Sequence, residues 1–104
     1  MSLYGTWTAA TIANTAKSSS EVDLGRDYDF LEIQIPTLTS GTLKIQVAEK
    51  TSGSFYDLGD GITTASGAHN YADVFHLGGY QFIKVVSSAT QGDDRLIRVR
   101  GMRF

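Results

Sequence analysis

Two histidines, His69 and His76, are the side chains best suited to move protons near neutral pH, and both stand among aromatic residues. A nucleophilic site would need one of them beside a serine and oriented by an acid. Serines occur throughout the chain, so none is singled out, and the G-x-S-x-G elbow that presents a catalytic serine is absent. His76 lies between Phe75 and Leu77, so strict alternation turns it away from both, toward solvent or a subunit contact. The expectation is a chain that is not an enzyme, with no catalytic residue to name.

Carboxylates cluster in three places. YDLGDG, Tyr56 to Gly61, sets Asp57 and Asp60 around a glycine, and calcium favours grouped carboxylates in flexible loops. Two carboxylates without a D-x-D-x-D-G continuation suit a turn in which Asp accepts backbone N–H bonds, so no metal is expected. Asp93-Asp94 precedes Arg95, and Asp94 suits a surface pair with it. Asp27, Asp29 and Glu32 stand near Arg26, a pattern of solvated loops more than of a paired general acid and base. No cofactor motif is present.

Aromatic and basic residues offer binding chemistry instead. Trp7, Tyr4, Tyr56, Tyr71 and Tyr80 would form a sugar-stacking platform if they converged, although only Tyr4 and Trp7 are neighbours in sequence. Aromatics supply much of a small core's buried area, so core or interface roles are expected for most of them. RLIRVRGMRF, Arg95 to Phe104, carries Arg95, Arg98, Arg100 and Arg103. Guanidinium groups at alternate positions of a strand suit phosphates, the carboxylates of another subunit, or the protection of an exposed edge. The residues expected at a partner interface are Trp7, Arg98, Arg100, Arg103 and the terminal Phe104.

The elements that must position these groups are strands. Period-two runs separated by Gly, Ser, Thr, Asn and Asp recur from end to end, and helical spacing is nearly absent. Residues 6–12 and 21–24 read as strands. Leu31 to Ile35 alternates cleanly and should end at Pro36, and Leu43 to Val47 repeats the pattern, predicting a hairpin through Ser40-Gly41. Residues 54–58 and 62–65 are weaker candidates. Tyr71 to Leu77 and Tyr80 to Val86 flank Gly78-Gly79, a turn or bulge corner. A polar loop over 87–94 leads to a last strand from Arg95 to Val99. There Leu96 falls on the arginine side, so the strand is apolar on both faces or begins with a bulge. Seven to nine strands at this spacing predict a single all-β domain over 1–104, an antiparallel β-sandwich of jelly-roll type.

Composition bounds the partners. Of 104 residues, 41% are hydrophobic and only 19% charged, with a surface left to Ser, Thr, Ala and Gly. Nine Lys and Arg against eleven Asp and Glu give a formal charge of −2, which argues against a nucleic-acid binder. No run approaches transmembrane length, and the N-terminus reads as neither a secretory signal nor a transit peptide, so no membrane partner is expected. The absence of cysteine excludes disulfides and thiolate chemistry.

Three segments together resemble small β-proteins of tailed-bacteriophage virions: DLGRDYDFLEIQIPTLTSGTLKIQVAEKTSGSFYDL, FHLGGYQFIKVVSS and RLIRVRG. The likeness covers residues 22–101 and rests on fold-level patterns, I-Q-I-P before a V-x-V strand, then G-G-Y-x-F-I-K-V before R-V-R-G. It implies a structural protein of the virion, made in the host cytoplasm, of the capsid decoration or cement type. It further implies a homo-oligomer, a trimer above all, seated on the major capsid protein or other virion subunits. The alternative is a carbohydrate- or receptor-binding module of a tail or fibre. The resemblance carries over no site residues.

Overall fold

The computed structural model describes residues 3–36, 43–51, 53–58 and 71–103, apart from the side chains of Leu3, Tyr71, Asp73 and Phe75. Among these residues there are seven strands and no helix: β1 Leu3–Tyr4, β2 Thr8–Ile12, β3 Val22–Ile35, β4 Leu43–Ala48, β5 Tyr56–Asp57, β6 Tyr71–Ser87 and β7 Arg95–Arg103. All pairings are antiparallel, in the order β1-β7-β3-β6-β4-β5 with β2 also on β7. The chain is an all-β sandwich, at the lower end of the strand number expected.

Two long strands, β3 and β6, make the sandwich by passing from one layer to the other. Five steps along β3, Asp23 to Tyr28, match two along β6, and two further steps to Phe30 match four along β6. These are bulges, one on each strand, and each holds glycine at positive φ: Gly25 at 91°, Gly78 at 74° and Gly79 at 89°. Beyond them the partners change. The C-terminal half of β3 lies between β6 and β7, whereas the C-terminal half of β6 lies between β4 and residues 18–23.

The inward side chains of both layers form one core that includes Ile12, Leu31, Ile33, Ile45, Ile83, Val85, Ile97 and Val99. The phase of alternation slips along β3 where its pairing with β6 is irregular: Val22, Leu24 and Tyr28 point inward, and then Leu31, Ile33 and Ile35. A shift by an odd number of residues has this effect, because it turns the later side chains to the other face.

Several expected boundaries change for physical reasons. Leu31–Ile35 and Leu43–Val47 do not pair: both edges of that part of β3 are taken, Glu32 facing Val74 on one side and Arg100 on the other, so β4 pairs with β6. Residues 21–24 belong to β3, and Gly78-Gly79 is a bulge within one strand, not a turn between two. The strand expected over 54–58 shortens to Tyr56–Asp57, and β7 extends to Arg103. β3 does end one residue before Pro36. The candidates at Ser40-Gly41 and 62–65 lie outside the described residues.

A buried polar knot closes one end of the sandwich. Gln91, fully buried, donates through Nε2 to Ser87 Oγ (2.9 Å) and to the Ala89 carbonyl (3.1 Å). Its backbone accepts from Thr15 N (2.9 Å) and donates to the Ala16 carbonyl (3.1 Å). Thr15 is thereby held at φ 70°, a left-handed conformation uncommon for a β-branched residue.

Candidate functional site

Because Ile97 and Val99 face the core, Leu96, Arg98 and Arg100 face out. The register carries this face across the layer: Ala9, Arg98, Gln34 and Ala72 form one row, and Arg100, Glu32 and Val74 the next. Tyr4, Met102, Phe30 and His76 form a third. Trp7, between β1 and β2, comes over the arginines. Its ring lies 4.7 Å from the Arg100 guanidinium carbon and 5.5 Å from that of Arg98. Arg100 also stands 5.2 Å from the Tyr4 ring and donates to Glu32 Oε1 through Nη2 and through Nε at 3.1 Å.

Arg100 is thus fixed by one carboxylate and two rings in a half-buried setting, where such contacts contribute more than on an open surface. Arg98 has the indole, and among the described residues no carboxylate is paired with it. Tyr4, Leu96 and Val74, three of the four large hydrophobics that stay exposed among the described residues, belong to this same face at 54%, 54% and 48% exposure. His76 is exposed here, edge-on to Phe30 at 5.0 Å between ring centres.

The structure therefore brings together Trp7, Arg98 and Arg100 of the residues marked in the sequence. Arg103 stands apart, an odd number of residues from Arg100, exposed and 4.0 Å from Asp27 Oδ2. Phe104, His69 and Asp60 lie outside the described residues. Tyr4 and Glu32 complete the cluster. Glu32 carried a signal in its alternation within LEIQI, but its partner is set by a strand register that no local pattern discloses.

The fourth exposed hydrophobic, Tyr56 at 70%, stands on the other layer. With Ala48, Glu49, Lys50, Gly53, Ser54 and Tyr80 it lines an open cleft of about 300 Å³. Tyr56 pairs with Val47, and next to it Asp57 accepts from Gln46 Nε2 (3.0 Å) and Lys44 Nζ (3.1 Å). The Gln46 bond, then the Lys44 bond, hold the Asp57 carboxyl below its ordinary value. Lys84 covers the Phe55 ring at 4.6 Å, and Thr51 Oγ1 donates to Glu21 Oε2 at 2.6 Å. Asp57 serves as an anchor of β5. Among the described residues no three metal-ligating side chains converge. Asp94 accepts from Asn14 N at 2.8 Å and so ties the turn after β2 to the loop before β7. Of the aromatics, Tyr28 lies in the otherwise aliphatic core and Tyr80 packs against it, while Tyr4 and Tyr56 are exposed.

No protein-family model matches the chain, and no curated protein sequence matches it. Its fold is similar to that of several solved structures. SPBc2 prophage-derived protein YomS aligns with a TM-score of 0.67 and 16% identity over 98% of this chain and 95% of that one. The family 32 carbohydrate-binding module of Clostridium perfringens NanJ, solved with galactose, aligns at 0.55 and 11% identity over 94% and 99%. An F5/8 type C domain from Bacteroides fragilis aligns at 0.56 and 6% identity over 94% and 93%. At such identities the likeness is one of fold, shared by a prophage-derived protein and by carbohydrate-binding β-sandwiches.

Proposed function

We propose that this chain is a noncatalytic structural subunit of a bacteriophage virion, of the capsid decoration or cement type, that binds neighbouring subunits through the outer face of β7, β3 and β6. The observation that carries the reading is the composition of that face: exposed Tyr4, Leu96 and Val74 around an indole held by Arg98 and Arg100. Apolar area removed from water contributes roughly 25 cal/mol per Å², and tryptophan, tyrosine and arginine are the side chains that dominate binding energy in interfaces. Arg98 adds a charge ready for a partner's carboxylate. Symmetry-related copies, arranged as trimers, multiply these modest contacts into firm attachment, with no cofactor and no covalent step. The low share of charged residues and the full-length fold likeness to a prophage-derived protein support the reading.

Immunogold labelling of particles released by the strain that encodes the chain tests it. Label on heads is expected; label on tails replaces the decoration role with a tail subunit, and unlabelled particles reject the proposal. A second reading, a carbohydrate-binding module of a tail or fibre, is favoured by the Tyr56 cleft and by the fold shared with a module solved with galactose.

A further inference from the structure

The cleft beside β5 is a built site. Two of its lining residues come from strands: Ala48 ends β4, and Tyr80 follows the Gly78-Gly79 bulge of β6. One wall is a loop closed by the Gly53 N–H bonding to the Lys50 carbonyl (3.1 Å), a turn with no room for a side chain, since a Cβ on Gly53 would lie 2.9 Å from that oxygen. Asp57, clamped by Lys44 and Gln46, fixes the strand that presents Tyr56. Tyr56, 70% exposed, therefore stands on an anchored strand. Glu49 and Lys50 offset one another in charge, so neither an anion nor a cation is selected. What remains is one exposed aromatic surface, a second tyrosine, and donors and acceptors on Glu49, Lys50, Ser54 and the phenols.

A neutral ring with an apolar C–H face and a rim of hydroxyls matches that set. The C–H face stacks on tyrosine and the hydroxyls bond to the rim, and about 300 Å³ is the small end of ligand sites, enough for a sugar ring or a disaccharide end. We infer that the Tyr56–Tyr80 cleft is a pyranose-binding site, with Tyr56 as the stacking platform and Lys50, Glu49 and Ser54 as hydroxyl partners. This rests on the second reading above and is compatible with a docking face on the opposite layer.

The test is titration of the ¹⁵N-labelled chain with galactose, glucose, fucose, N-acetylglucosamine and their disaccharides, followed in amide spectra. Shifts are expected at Ala48 to Lys50, Gly53, Ser54, Tyr56 and Tyr80, with affinity falling about tenfold in Tyr56→Ala and unchanged in Tyr4→Ala. Unchanged amide dispersion shows that Tyr56→Ala is folded. Shifts that map to Tyr4 and Trp7, or binding unaffected by Tyr56→Ala, overturn the cleft while leaving a sugar-binding role. No shift with any sugar overturns both.

Discussion

A Cβ built on Gly101 would overlap Cγ and Cδ2 of Tyr28 and still lie 2.6 Å from Cε2. Tyr28 is buried against the core, so the ring has nowhere to retreat, and Gly101→Ala should cost about 3 kcal/mol in urea denaturation. Gly78 and Gly79 differ in kind. No atom would touch a Cβ there, but their positive φ makes Gly78→Ala cost about 1 kcal/mol through backbone conformation alone. Thr15 is the converse case: Thr15→Gly should stabilise by about 0.5–1 kcal/mol, because it relieves the left-handed strain at the price of a more flexible unfolded chain. Among the described residues, two carboxylates contribute to the acid response. Asp57 is held below its ordinary value by Gln46 and Lys44, and Asp23 by Gln81 and the Gly25 N–H. A depressed folded value means stability that is complete above the ordinary carboxylate range and is lost as pH falls through the folded value. Thermal melts should therefore be level near neutrality and decline below about pH 4, less steeply in Asp23→Asn/Asp57→Asn.

β3 and β6 show what a sequence discloses and what it withholds. Clean alternation in LEIQI and LKIQV marked two strands correctly, and Pro36 marked an end, because these are local consequences of pleat and proline. Their partners were not legible. Adjacent strands were expected to pair, whereas β7, sixty residues later in the chain, takes the edge of β3 that a hairpin needs. The β3 bulge erased the period over 24–30 and made one strand read as two, and the two glycines of β6 did the same. For the site, Arg98 and Arg100 on one face followed from spacing alone. Trp7 was marked for an interface, but its stacking on them, and the Arg100–Glu32 pair, exist only once β2, β7 and β3 are in register. A double-mutant cycle on Trp7→Ala and Arg100→Ala should give a coupling of about 1 kcal/mol in denaturation, and zero coupling would mean that the stacking contributes nothing.

At the scale of the molecule, one layer of a small sandwich leaves aromatic and aliphatic side chains exposed around Arg98, which among the described residues pairs with no carboxylate, while the other holds an open cleft. Under the proposed function the exposed apolar part of that face is what neighbouring subunits cover. The most direct measurement is the copy number of the chain in purified particles, wild type against Leu96→Glu and Val74→Glu, by quantitative mass spectrometry. Both substitutions sit at half-exposed positions and leave the core untouched, so the variants should stay folded, Val74→Glu melting somewhat lower because it faces Glu32 across the β3–β6 pair. The account predicts wild-type chain in many copies per particle and near-complete loss of both folded variants. Wild-type chain absent from particles, or variants incorporated at wild-type level, would contradict it.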